Sequence, residues 1–374
     1  MDFSLNEVQE MLADSIDKFI DNEYDFDTRQ QYAASEAGYS TEVWSKFAEL
    51  GWTAVPFSED DGGFDGGPID IMVVMQRFGR GLIVEPYLAN VVLAGGALKR
   101  LASAEQKERW LQPLIGGELQ ATLAFTEPQA RYTVENVETT AVADGDAWVL
   151  NGKKGFVING ATADLVIVPA RTGGSSTDTS GITLFAVDAS VDGVERNAYH
   201  TVDGGRAAEI SLRDVRVSAD AVLGDVGAGF AALDATVDDA TLAVCAEAVG
   251  IMHALKNKTV EYSKSRAQFG VPIGSFQALQ HRMVDMLTAC EQAQSLLLWS
   301  AMTYQAGGED AKRAISSIKY LVGTAGQTVG EEAVQIHGGM GVTWELDVAH
   351  LFKRLTAIGQ LFGNADWHLD KLAA

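Results

Sequence analysis

Lys154-Gly155-Phe156-Val157-Ile158-Asn159-Gly160 decides the fold. Aromatic and β-branched residues stand together and an Asn-Gly pair closes them, which is the composition of a strand ended by a turn. Outward from it, the same kind of run recurs at Val142–Leu150, Gly155–Asn159, Asp164–Ala170, Gly181–Val187, Glu195–Tyr199 and Ala208–Val217. Asp144-Gly145-Asp146 and Asn151-Gly152 punctuate the series as expected turns. Short strands so spaced predict a β-barrel or sandwich of about 100 residues. The small, polar stretch Thr172–Ser180 reads as an exposed hairpin loop in it rather than a site.

On either side the period is helical. Val8, Met11, Leu12, Ile16 and Phe19 recur every three to four residues, with Ser4 or Asn6 placed to cap them. Val43, Trp44, Phe47 and Leu50 form a second helical face that Gly51 stops. Asp60–Pro68 is expected to be a flexible turn before a helix over Ile69–Gly79, and further helices cover Tyr87–Leu101 and Ala104–Leu114. After Gly224–Gly229, long helices are expected over Phe230–Lys264, Phe276–Ala306, Asp310–Gln335 and Val348–Leu372. The reading is an α+β multidomain chain: an N-terminal helical domain at 1–120, a middle β domain at 121–225 and a C-terminal four-helix bundle at 226–374.

Composition narrows the partners. A formal charge of −23 over 374 residues argues against nucleic acid or an anionic membrane surface, so a phosphate-bearing ligand needs local arginines and backbone N–H groups. Met1-Asp2-Phe3-Ser4 has neither the basic nor the apolar region of an export signal, and no apolar run suits a membrane span. Cys245 and Cys290 sit in apolar helical runs as buried thiols, and the histidines show no metal-ligand spacing. A cytoplasmic protein without a metal is expected.

Four strings then carry a resemblance. Ala124-Phe125-Thr126-Glu127-Pro128 resembles the A-x-T-E-P strand end of acyl-CoA dehydrogenases, and Lys154–Gly160 their K-x-W-I-T-N-G strand. Arg266-Ala267-Gln268-Phe269-Gly270 with Phe276-Gln277 is similar to R-x-x-F-G … F-Q, and Gln335–Gly341 to Q-x-x-G-G-x-G. All four stand in the family's order, and the likeness runs from Phe3 to the C-terminus.

The resemblance implies FAD as cofactor, an acyl-CoA substrate, an electron-transfer flavoprotein as acceptor, and a homo- or hetero-oligomer with another acyl-CoA dehydrogenase-like subunit. It places Phe125, Thr126, Phe156, Val157 and Ile158 beside the flavin. Thr126 offers a hydroxyl and an N–H to the flavin's polar edge or simply caps a strand; Phe156 offers an aromatic face or simply fills the barrel. It implies that Arg266, Gln268 and Phe269 reach a flavin held mainly by a neighbouring subunit, and that Gln335, Gly338 and Gly339 approach its adenine end. Arg266 alternatively caps a helix, and the two glycines alternatively break one.

The chemistry implied is removal of a proton from the α-carbon of an acyl thioester while a hydride leaves the β-carbon. That needs a carboxylate with raised pKa. The family's two homes for it fall at Gly363, counted from Arg354, and at Ala240, counted from Gly250; neither is an acid. Glu247 lies seven residues beyond Ala240, so both side chains leave the helix within roughly 20° of each other. Set among small apolar residues, it is either the base or half of an interhelical ion pair, whereas Asp238 and Asp239 read as solvated first-turn acids. After T-E-P the family's G-A-G-S-D becomes Gln129-Ala130-Arg131-Tyr132-Thr133. This resembles small subunits of pimeloyl-CoA-type and steroid side-chain heteromeric dehydrogenases. Arg131 and Tyr132 are therefore expected to face the substrate, Arg131 contacting a phosphate or carboxylate unless it is a plain surface residue. Small residues at Ala240, Ala243 and Gly363 suggest room for a bulky or ω-functionalised acyl group.

Overall fold

Asn6 opens the first helix, α1 (Glu7–Glu23). Its side chain accepts the Gln9 N–H at 2.9 Å, and the Gln9 side chain accepts the Asn6 N–H at 3.0 Å. The computed structural model describes residues 4–374; Met1–Phe3, which bear on the export signal and on where the likeness begins, lie outside the described residues. The further helices are α2 (Phe26–Ala34), α3 (Thr41–Glu49), α4 (Pro68–Gly81), α5 (Gly95–Leu101), α6 (Ala104–Gln106), α7 (Gln112–Ile115), α8 (Phe230–Ser265), α9 (Gln277–Ala306), α10 (Ala311–His337), α11 (Asp347–Gln360) and α12 (Ala365–Ala373). The chain divides into one compact unit of residues 1–31, 67–83 and 241–374 and another of 32–66 and 84–240.

The first unit is helical. A Cβ on Gly79 would stand 2.0 Å from the Glu247 carbonyl oxygen, and one on Gly250 1.9 Å from that of Gln76. These two glycines let α4 and α8 meet backbone to backbone, a crossing any side chain would push apart. α10 packs against α9, α11 and α12 through buried Ile315, Ile318, Val322, Val329 and Ala333. The helix expected over Val348–Leu372 is in fact two: Phe362 (φ 56°) and Gly363 (φ 111°) turn the chain, and the Asn364 side chain accepts the Trp367 N–H to start α12.

The second unit is built on a sheet of β1 (Ala121–Leu123), β2 (Thr140–Asp144), β3 (Ala147–Ile158), β4 (Leu165–Arg171), β5 (Ile182–Asp188), β6 (Val194–His200), β7 (Arg206–Ser218) and β8 (Val222–Leu223). The order is β6-β7-β3-β2-β4-β5-β8, with β1 parallel to β4. Leu150, Val157, Val166, Val168, Phe185, Ile210, Leu212 and Val215 form its core. Two turn readings change. The 144–146 turn is real, but it divides the run 142–150 between β2 and β3; Asn151-Gly152 instead lies inside β3, where the register to β7 shifts. The glycine-rich 60–68 segment is tightly held, since Cβ atoms on Gly63 and Gly66 would lie 2.2 and 2.4 Å from the carbonyl oxygens of Phe57 and Val55.

Candidate active site

In the second unit, β1 leads directly into Ala124–Pro128. The Gly155 N–H donates to the Thr126 carbonyl at 2.8 Å, tying this strand end to β3. Phe125, Thr126 and Ile158 are half-buried, and Phe156 is 36% exposed with its ring 6.5 Å from that of Tyr199. Val157 differs: its side chain is fully buried in the sheet core, because neighbouring strand residues point to opposite faces.

Next to Thr126 and two residues before Phe156, Glu127 and Lys154 form a buried ion pair. Lys154 Nζ donates to Glu127 Oε1 at 2.6 Å and to the Pro169 carbonyl at 2.7 Å, and both side chains are at most 2% exposed. Glu127 also accepts from the backbone N–H groups of Glu138 and Thr139 and from Gln129 Nε2. Burial pushes its carboxyl up, but the Lys154 ammonium and these donors outweigh that and hold it at about 2. One carboxylate thus clamps both ends of the segment that carries Arg131 and Tyr132. Arg131 is exposed at φ 52°, its guanidinium 5.8 Å from the Tyr132 ring centre.

In the first unit, Arg266–Pro272 forms a hairpin of β9 (Ala267–Gln268) and β10 (Val271–Pro272). Phe269 and Gly270 occupy its tip at φ 55° and 83°, the two positive angles of a type I′ turn. Phe269 is 92% exposed there, with an edge contact to Phe276, and Arg266 and Gln268 are exposed beside it. Gln335, Gly338 and Gly339 are exposed at the end of α10, and a Cβ on either glycine would meet nothing within 4 Å.

The acids are arranged otherwise than a lone base requires. Arg354 Nε donates to Glu247 Oε1 at 2.6 Å and Arg354 Nη2 to Oε2 at 2.7 Å, so Glu247 is one side of a bidentate interhelical ion pair. Of the two readings open for Glu247, base or half of an interhelical ion pair, the ion pair is the one present. Asp239 is likewise paired, accepting from Arg100 Nη2 at 2.7 Å. Ala240 is fully buried on α8. At Gly363 the room expected for an acyl group is already filled: a Cβ there would lie 2.5 Å from Trp367 Cδ1 and 2.6 Å from His368 Nε2. Lys319, fully buried, donates to the carbonyls of Ile358 and Gly363 at 3.0 and 2.7 Å and locks this turn.

Family profiles described as the acyl-CoA dehydrogenase N-terminal, middle and C-terminal domains match residues 6–118, 122–215 and 227–374. The probable acyl-CoA dehydrogenase YngJ of Bacillus subtilis is 30% identical over 96% of each chain. The chain belongs to the acyl-CoA dehydrogenase family. Among solved structures, the FAD complex of PigA superimposes with a TM-score of 0.92 at 28% identity, covering 100% of this chain and 98% of that one. The ChsE4-ChsE5 complex from Mycobacterium tuberculosis gives 0.90 at 26% identity, covering 100% and 98%. No helix among the described residues is long and apolar enough to cross a membrane, and no cluster among them has the donors to hold a metal ion.

FAD is the cofactor of acyl-CoA dehydrogenases. The residues fit it: Phe156 exposes aromatic surface next to a fixed strand end, and Gly338 and Gly339 leave their surroundings open. Four cations that organise these segments, Lys154, Arg171, Lys319 and Arg354, have partners that the sequence does not name. A signal existed for three of them. Lys154 and Arg171 interrupt strand runs, and Lys319 an apolar helix face, where a charge is tolerated only when its donors are satisfied.

Proposed function

We propose that this acyl-CoA dehydrogenase works as one subunit of an oligomer in the FAD-dependent α,β-dehydrogenation of an acyl-CoA thioester. The observation that carries the proposal is the hairpin tip: an aromatic ring left 92% exposed on a tight turn, flanked by exposed Arg266 and Gln268. An apolar ring so displayed is suited to a partner surface, and a planar guanidinium next to it suits a diphosphate. In this reading the hairpin completes the flavin site of a neighbouring subunit, while Phe125, Thr126, Phe156 and Ile158 line this chain's own. Gln335, Gly338 and Gly339 take the adenine end of a flavin.

When bound, FAD supplies the acceptor for the hydride that leaves the β-carbon. The protein's part is to hold the thioester, donate hydrogen bonds to its oxygen as enolate character develops, and present a carboxylate to the α-proton. Arg131 and Tyr132 are the groups assigned to the substrate, Arg131 meeting CoA phosphate or a carboxylate on an ω-functionalised acyl chain. The protein works in the cytoplasm and passes electrons to an electron-transfer flavoprotein.

A second reading, a partner subunit without turnover of its own, is favoured by the acids. Gly363 and Ala240 carry none, and both oxygens of Glu247 are engaged by Arg354. The test is to express the chain alone and with a second dehydrogenase-like subunit, then add acyl-CoA thioesters without air. Flavin bleaching in the chain alone supports the first reading; flavin only in the mixed assembly supports the second. Rapid reoxidation in air with peroxide formed points to a flavin oxidase or monooxygenase.

A further inference from the structure

Arg171, the last residue of β4, is buried at 8% exposure, yet none of its five N–H groups bonds to a side chain in the contacts that surround it. Nη1 donates to the carbonyls of Asp178 and Ser180, both at 2.8 Å. Nη2 donates to those of Ser176 at 2.8 Å and Glu135 at 2.9 Å, and Nε to that of Val137 at 3.4 Å. Guanidinium has five donors in one plane, and here each meets a different carbonyl. Three belong to the hairpin loop between β4 and β5, and two to the segment that follows Arg131 and Tyr132. The Val137 N–H donates directly to the Ser176 carbonyl at 2.9 Å, and the Arg171 N–H to that of Thr139 at 2.7 Å.

The loop is therefore more than a solvated connection. Its carbonyls form one half of a socket around Arg171, and the substrate-facing segment forms the other half. Glu127 fixes the same segment through the Glu138 and Thr139 N–H groups. The two buried charges thus fix residues 135–139, and Arg131, four residues earlier, stands in a left-handed conformation that a free chain seldom adopts.

We propose that Arg171 is a positioning residue for recognition of the CoA portion, coupling the hairpin Thr172–Gly181 to the Arg131–Tyr132 segment. The hairpin thus tunes affinity while Arg131 and Tyr132 make the contact. This rests on the reading that these two residues face the substrate.

The test uses the FAD-loaded assembly, with coenzyme A as the probe and titration calorimetry as the readout. Arg171→Lys has three donors for five carbonyls, and a hairpin lacking Ser175–Thr179 removes two of those carbonyls while keeping Arg171. Each variant is expected to weaken coenzyme A binding about tenfold, the scale of a buried polar group left unpaired, with FAD content unchanged. A purely structural role would lower thermal stability and leave the affinity of the folded protein as it was. Arg131→Asn, which suits the left-handed backbone, separates the two levels. If it weakens binding and both other variants bind like the parent, the coupling is overturned alone. If all three bind like the parent, the substrate-facing reading and the coupling fall together. If Arg171→Lys does not fold, the shortened hairpin decides.

Discussion

Arg354 grips Glu247 by two near-parallel hydrogen bonds, at 2.6 and 2.7 Å, between α11 and α8. The geometry makes Glu247 a structural acid first. It is placed by Gly79 and Gly250, whose missing side chains bring α4 against the same turns of α8. Glu247→Gln should cost stability without removing the reaction. Arg354→Ala should be the worse change, since it leaves an 8%-exposed carboxylate without its cation. We expect a loss of about 2–4 kcal/mol, below the figure for a wholly buried pair because Arg354 reaches solvent. Denaturant unfolding of the two variants measures this. Full stability of Glu247→Gln with abolished turnover would restore it as the base.

Acid should act through Glu127. Its folded-state carboxyl sits at about 2, below the 4.5 of an unperturbed glutamate, so the native state binds the proton less readily than the unfolded chain. The pair's contribution is therefore complete above pH 4.5 and is lost as pH falls toward 2. The shift corresponds to about 3 kcal/mol. In Lys154→Met the carboxylate loses its partner and the acid transition should begin at higher pH. Unfolding followed from neutral pH downward in both proteins checks the direction; coincident transitions would contradict it.

Restoring an acid at the C-terminal turn should fail. Gly363→Glu must place a Cβ against Trp367 and His368 at φ 111°, so the turn held by Lys319 has to open. The expected result is destabilisation of about 2–4 kcal/mol with no gain in turnover. Soluble, stable Gly363→Glu protein with increased turnover would show that the turn yields easily.

The exposed hairpin should matter to assembly more than to folding. Phe269→Ala removes a ring that is 92% exposed, so thermal unfolding of the isolated chain should change by about 0.5 kcal/mol or less. FAD retention by the oligomer should fall several-fold on dilution. Equal retention in both proteins would remove the hairpin from the flavin site.

Much of this architecture is legible in the sequence because it is local. Strand composition at Lys154–Gly160 and the helical period of α1 each need only neighbouring residues. The register shift at Asn151-Gly152 is not legible, since the same dipeptide can close a strand or run on inside one, and the extra residue that shifts the register stands on β7, at Arg213-Asp214. Partners of the buried charges were hidden for the same reason: Glu247 meets Arg354 107 residues away, and Lys319 meets carbonyls that any residue provides. The filled space at Gly363 is likewise invisible, because a glycine reads the same whether it leaves a cavity or makes way for Trp367 and His368.

The decisive measurement is the flavin content of the purified oligomer, taken as FAD released per subunit on denaturation with every partner subunit supplied. Bound FAD is expected, reduced on addition of an acyl-CoA thioester and partly lost from Arg266→Ala. An intact, folded assembly that neither holds FAD as purified nor takes it up on reconstitution would contradict it.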